Sequence, residues 1–363
     1  LNNGDPNQFF NNADGTQNHI GHTGGVGIVV TPTELDYGNM SVGYDLAKSA
    51  QVINNTEEEL TLSAINSSSG EFDIVGWQSL PITIGSLDSR EIGLQFLHTS
   101  TGSKSVTTQF DLEPFNNDGF IAATAVAYDL PSGDILVPTD FSTIQLALDI
   151  IPSSVEKTVV VEPGEYFENI MLRRIHNVTI RSQSGPLQTI INGGGSGIVI
   201  DSDHENRAGG ITFEGFTITG GVGGAIDVYH TDDNITLRDL IIKGNHGQAP
   251  DRGRSIVTVT PQNTILENIL KSDNEHSQGT ISQDSQGALE ISGSADQDHI
   301  TKIINCTIVN NKDMAGLRVQ NWGGEASIVM FNSVIWGNEQ NITVHPEGSP
   351  YIFIDQRLFK VFR

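Results

Sequence analysis

The sequence predicts an all-β chain in two parts, a β-sandwich followed by a right-handed parallel β-helix. Three observations predict it. A motif recurs between Asn234 and Asn338, alternating apolar and polar runs broken by turn residues fill most of the remainder, and only one short segment has the period of a helix. Glycine, at 39 copies, supplies the turns such a chain needs.

Residues 1–26 are polar, rich in Gly and Asn, and without period, so they read as a flexible leader. Two readings stay open for it: a tether ahead of a folded domain, or an untidy terminus. The chain opens on Leu1 with no signal-like apolar segment, the expectation for a mature product or a fragment.

Residues 27–130 alternate. Candidate strands are 28–31, 50–54, 60–65, 72–75, 82–84, 91–97, 105–112 and 120–127, with Ile92, Leu94 and Phe96 facing one way. Short strands at this density predict a β-sandwich. The runs Thr31-Pro-Thr-Glu-Leu-Asp-Tyr-Gly-Asn-Met-Ser-Val-Gly, Val52-Ile-Asn-Asn and Gly70-Glu-Phe-Asp-Ile, with Leu94-Gln-Phe and Gly102, resemble the immunoglobulin-like domains called choice-of-anchor D or ASH-type. The resemblance implies an accessory or spacer module without chemistry of its own.

Pro131-Ser-Gly-Asp134 reads as a linker, and the β-helix is expected over 135–345. A strand at 135–137 precedes a short helix over 142–151, with Ser142 as N-cap, Pro152 as terminator, and Ile144, Leu148 and Ile151 on one face. Such a helix covers the open end of a solenoid core. Further on, Asp239, Asn268, Asn305 and Asn332 are each followed six residues later by an Asn, at Asn245, Asn274, Asn311 and Asn338. Asparagines stacked at a turn hydrogen-bond along the pile. The expectation is a column of Asn268, Asn305 and Asn332 whose partners are buried, so that Asn305→Ala costs about 1–3 kcal/mol. Cys306, the only cysteine, is expected beside it facing away from solvent, and it rules out an internal disulfide framework. Residues 346–363 show no terminal cap and read as a truncated tail.

The order of Ile135-Leu-Val-Pro-Thr-Asp-Phe-Ser-Thr-Ile-Gln, Thr158-Val-Val-Val-Glu-Pro-Gly-Glu-Tyr, Val178-Thr-Ile-Arg-Ser and Thr189-Ile-Ile-Asn-Gly resembles the opening of the pectin-lyase-like superfamily, especially its pectin methylesterase-like members. Asn305-Cys-Thr-Ile-Val-Asn-Asn and Asn332-Ser-Val-Ile-Trp-Gly-Asn resemble the β-helix proteins called choice-of-anchor Q. These resemblances imply the fold. They do not carry a catalytic set, because the methylesterase Gly-x-Val-Asp-Phe-Ile-Phe-Gly segment is absent, Lys and Arg are scarce for a lyase, and Asp232-Asp233 is the only adjacent Asp pair.

Lys plus Arg number 19 against 44 Asp plus Glu, a formal charge of −25. That balance excludes nucleic acid as a partner and disfavours any polyanion not bridged by cations. No apolar run is long enough for a transmembrane segment. The expected setting is extracellular or cell-surface. Two functions compete there: a non-enzymatic surface, adhesion or polysaccharide-binding module, and a polysaccharide hydrolase or lyase. In either case the partner is a polysaccharide or another cell-surface component.

Strand alternation locates a candidate site. With Ile198, Ile200, Ile226, Val228, Leu289, Ile291, Leu317 and Val319 facing the core, the residues Asp201, Asp227, Tyr229, Thr258, Glu290, Ser292, Arg318 and Gln320 fall on one outer face. Glu290 and Arg318 should neighbour each other across one rung, and Asp227 should lie two rungs from Glu290, roughly 9–10 Å away. A solvated face with one exposed ion pair is the plain reading. The functional reading makes Asp227 and Glu290 acid and base, with Arg318 orienting Glu290. Substrate would be bound by Asp201, Tyr229 and Gln320, with the turns bearing His246, Asp251 and Arg252 as a wall. His230, His246, His276 and His299 are all expected in turns. The alternation Asp201-Ser-Asp203-His-Glu205 makes calcium a possible ligand, although Thr212 at the twelfth position excludes an EF-hand.

Overall fold

The computed structural model describes residues 27–44, 46–74, 79–114, 119–202, 207–228, 234–247, 255–259, 263–276, 287–293, 299–321, 326–344, 351–354 and 360–361. The expected leader, 1–26, lies outside them. The chain divides into two compact units, Leu1–Leu130 and Pro131–Arg363.

In the first unit a four-stranded sheet (Ile28–Thr31, Leu46–Asn54, Ser89–Phe96, Phe72–Ile74) faces a five-stranded one (Glu34–Ser41, Gly119–Tyr128, Gly102–Glu113, Leu60–Ser67, Ile82–Ile84). Alternate residues of both enter a single core, among them Val52, Leu94 and Phe96 from the first sheet and Leu62, Phe110 and Ile121 from the second. Tyr37 ties the sheets together by donating its hydroxyl proton to the Leu94 carbonyl at 2.9 Å. The strand Glu34–Ser41 was not among those expected. It pairs parallel with Gly119–Tyr128 and shifts register between Asp36 and Asn39, where Gly38 takes φ 69°. A bulge breaks the period of two, and with it the sequence signal for a strand.

Among the described residues of the second unit, three parallel sheets of nine, eight and seven strands open with Ile135–Val137, Gly164–Phe167 and Ile170–Leu172. Each strand pairs with its counterpart one rung away, so inward side chains stack in columns. One column of the first sheet runs Ile180, Phe213, Leu237, Leu266, Ile303 and Met330, all buried. The matching column of the second sheet reads Ile218, Ile242, Lys271, Ile308 and Ile335. A lysine therefore stands where the stack has isoleucine. Its ammonium donates to the Ala288 carbonyl at 2.7 Å, and burial holds its pKa well below the ordinary lysine value, offset in part by nearby Cys306. The two groups share a core cavity of about 10 Å³.

The helix covering the N-terminal end is Ile144–Asp149, and its N-cap is Thr143, whose hydroxyl accepts from the Leu146 amide. Ser142 is thus one residue too early as the expected cap, and 142–151 too long as the expected helix. The reason lies outside the segment: the Glu168 carboxylate accepts from the amides of Ile144 and Gln145, both at 2.9 Å. A partner distant in sequence thereby satisfies the helix start. Ile144, Leu148 and Ile151 are buried as expected.

Two asparagine columns mark two corners. At the corner between the first and second sheets, Asp239, Asn268, Asn305 and Asn332 all have positive φ, between 43° and 54°. Their amides donate in one direction, Asn268 to Asp239 at 3.0 Å, Asn305 to Asn268 at 3.1 Å and Asn332 to Asn305 at 2.7 Å. The expected column exists, but its members are exposed, which corrects the expectation of buried partners. Cys306 is buried beside it, as expected. The buried column is the other one. Asn245, Asn274 and Asn311 are at most 1% exposed. Asn274 donates to Asn311 at 2.8 Å and to the carbonyls of Ile242 and Ser272, while its oxygen accepts from the side chain and backbone of Asn245. Beyond residue 345, Tyr351–Ile354 and Lys360–Val361 add strands to the first and second sheets.

Candidate functional site

The third sheet carries the row that alternation picks out. Asp201, Asp227, Thr258, Glu290, Arg318 and Thr343 occupy successive rungs in register. Glu290 and Arg318 neighbour each other, and Asp227 lies two rungs from Glu290. The environment differs from expectation. Thr258, Glu290, Ser292, Arg318 and Gln320 are all buried rather than solvated, so the ion pair is not an exposed one. Arg318 Nη1 donates to Glu290 Oε2 at 3.1 Å, with the two side chains only 8% and 11% exposed. Ser255 donates its hydroxyl to the same Oε2 at 2.6 Å and accepts from the Gly287 amide at 2.9 Å. Both donors converge on one carboxylate oxygen. Such a pair, once buried, must keep its partners, because an uncompensated charge there is costly.

The register brings Asp201, not Glu290, next to Asp227, and both are half-buried. Of the other residues singled out, Asp203, Glu205, Tyr229, Asp251 and Arg252 lie outside the described residues, as does His230. Calcium at Asp201, Asp203 and Glu205 therefore rests on the sequence alone. His246 is described, and it sits in a two-residue strand, His246–Gly247, paired with Glu275–His276. His299 begins the strand His299–Ile304. The expectation that these three histidines occupy turns is corrected: neighbouring rungs supply hydrogen-bond partners that a single repeat does not display.

A groove of about 540 Å³ lies elsewhere, along the corner between the first and second sheets. It crosses four rungs, lined by Ser182 and Pro186, then Glu214, then Asp239 and Ile241, then Asn268 and Leu270. Three rung spacings make it about 14 Å long. Its origin is local. Between the strands Val178–Ser182 and Thr189–Asn192 the corner is the turn 183–188, whereas the following corners need only 215–216, 239–240 and 268–269. The large turn is held firmly: Ser182 Oγ accepts from the amides of Ser184 and Gly185, and the Pro186 carbonyl accepts from Thr217 Oγ1 at 2.6 Å. Gly215, at φ 84°, lets it lie close, since a Cβ there would come within 3.1 Å of Ser182 Cβ. The turn projects, with Leu187 83% exposed, and the small corners beside it form the recess.

The floor is apolar, with Leu240 buried, Ile241 half-buried and Leu270 39% exposed. The rim is rich in acceptors. Glu214 is ion-paired with Arg238, and Asp239 Oδ1 takes one hydrogen bond from Asn268. Sequence reasoning missed this site because Leu270 falls among the apolar residues of the repeat, where nothing distinguishes a floor from a core. The available signal was the extra length of Gln183-Ser-Gly-Pro-Leu-Gln188.

No family model matches the sequence, and no curated protein is similar to it at a significant level. Among solved structures, a pectin methylesterase mutant in complex with hexasaccharide IV matches 62% of this chain and 90% of its own, at 11% identity and TM-score 0.31. The ASH/PapD-like domain 7 of human CEP192 matches 29% and 87%, at 7% identity and TM-score 0.24. A family 28 exopolygalacturonase from Yersinia enterocolitica matches 87% and 85%, at 9% identity and TM-score 0.15. The chain is an immunoglobulin-like domain followed by a β-helix. That architecture rests on the strand registers above. Among the described residues no helix is long and apolar enough to cross a membrane, and no group of three His, Cys, Asp or Glu could hold a metal ion.

Proposed function

We propose that the β-helix is a non-catalytic polysaccharide-binding module of a surface or secreted protein. The corner groove carries this reading. Its volume lies within the range of about 300–1,000 Å³ usual for ligand sites. An aliphatic floor offers area to the C–H faces of a sugar, while carboxylate and carboxamide acceptors on the rim suit hydroxyl donors. The charge of −25 favours a neutral glycan over a polyanionic one. The pinned Glu290 supports the non-catalytic part, because a carboxylate held by Arg318 and Ser255 inside the sheet is poorly placed to exchange protons with a substrate.

A second reading, a hydrolase, is favoured by the adjacent carboxylates Asp201 and Asp227. One panel separates the two. Soluble cellulose, β-1,3-glucan, xylan, mannan and starch fragments are titrated calorimetrically, and the same mixtures are assayed for new reducing ends and unsaturated products. Binding without depolymerisation is the expected result. Depolymerisation lost in Asp227→Asn would establish the hydrolase instead, and no binding by any glycan would remove the proposal.

A further inference from the structure

We infer that the corner groove receives the end of a glycan chain rather than its interior. The inference rests on the polysaccharide-binding reading, but its evidence is the shape of the groove along the helix axis. At one end stands the turn 183–188, braced by Ser182 and by Thr217, with Pro186 lining the groove. A chain lying along the corner cannot continue past it. Towards the other end the next two corners among the described residues are small. The next corners, 305–306 and 332–333, are again two residues long, and in the register of Leu270 lie Thr307 and then Val334. Phe331, 37% exposed, flanks the corner two rungs beyond Asn268, about 10 Å further on. Its ring offers a stacking surface to a sugar further along the same chain. One closed end and two further small corners on the opposite side give the groove a polarity: the terminal sugar abuts Pro186 over Ile241 and Leu270, its hydroxyls within reach of Glu214 and Asp239, and the chain leaves towards Phe331.

End binding and interior binding differ in stoichiometry. The test is calorimetric titration of the full chain with length series of cello-, xylo-, malto-, manno- and β-1,3-gluco-oligosaccharides and their soluble polymers. The expected result, for whichever series binds, is one protein per chain whatever the length. Bound protein rising in proportion to chain length would overturn the inference while leaving the polysaccharide reading intact. No binding by any series would overturn both. Leu270→Arg, at a position 39% exposed, should weaken binding at least roughly tenfold, a loss of about 1.4 kcal/mol. Unchanged affinity in that variant, with unchanged melting temperature, places the ligand elsewhere and overturns the inference. Replacing 183–188 by a two-residue Asn-Gly corner should open the closed end, so that stoichiometry then rises with length. A variant still limited to one protein per chain would show that the turn does not set the limit.

Discussion

Two asparagine columns run along the same β-helix, built from the same residue with side-chain ladders that donate in opposite directions along the stack, and they sit in opposite environments. The column of Asn268, Asn305 and Asn332 faces water, and its members are held at positive φ. Asparagine suits that position because it tolerates the left-handed region better than other side chains. The column of Asn245, Asn274 and Asn311 is buried. There the preceding residue takes the left-handed conformation, at Gly244, Asp273 and Asn310, and the asparagine amide satisfies backbone carbonyls. A hydrogen bond exposed to water is exchanged for another at little cost, whereas a buried group left alone loses its full solvation. The two ladders should therefore differ in worth although the residue is the same.

The largest effect is expected at Asn274. Asn274→Ala leaves several buried donors and acceptors without partners and should destabilise the β-helix by about 3 kcal/mol, at about 1–3 kcal/mol for each orphaned group. Chemical denaturation checks it, and a loss under about 1 kcal/mol would erase the distinction between the columns. Arg318→Met should cost as much, about 3 kcal/mol, because Glu290 is left buried without its partner. Glu290→Gln made in the same background should recover part of that loss, and a double-mutant cycle with no coupling would contradict the 3.1 Å pair.

Lys271 sharpens the comparison from the other side, as a buried polar group outside any ladder. Lys271→Met should stabilise by about 1–2 kcal/mol, since the apolar replacement continues the isoleucine stack. Because the folded pKa lies below the unfolded value of about 10.4, the unfolded chain binds more protons between the two. Stability should accordingly rise with pH through that window in the natural protein, and the Lys271→Met variant should lack this rise. A parallel pH dependence of the two melting temperatures would refute it. The smallest effect belongs to the exposed column. Asn305→Ala should cost about 1 kcal/mol, mostly for positive φ, and Asn305→Gly close to nothing. If the glycine variant loses as much as the alanine one, the exposed ladder contributes more than water should allow.

What the sequence determined by itself is the order of the two units and, in most rungs, the side that faces the core; Ile198, expected inward, is half-buried while Val199 is buried. Period-two alternation places Ile226, Leu289 and Leu317 inward, and the spacing of the repeat brings Glu290 opposite Arg318. Those are local or periodic properties, and a chain that stacks on itself repeats them in register. The tertiary structure alone decided which polar residues meet water. Asn305 and Asn311 belong to one motif and each has a rung on either side, yet only Asn311 is buried; Glu290 looks solvent-facing in its strand, yet is buried between Ser255 and Arg318. The helix cap at Glu168 and the groove beside 183–188 were hidden for the same reason. Burial and concavity depend on what adjacent turns of the solenoid cover, and the length of one turn relative to its neighbours acquires meaning only when the rungs are stacked.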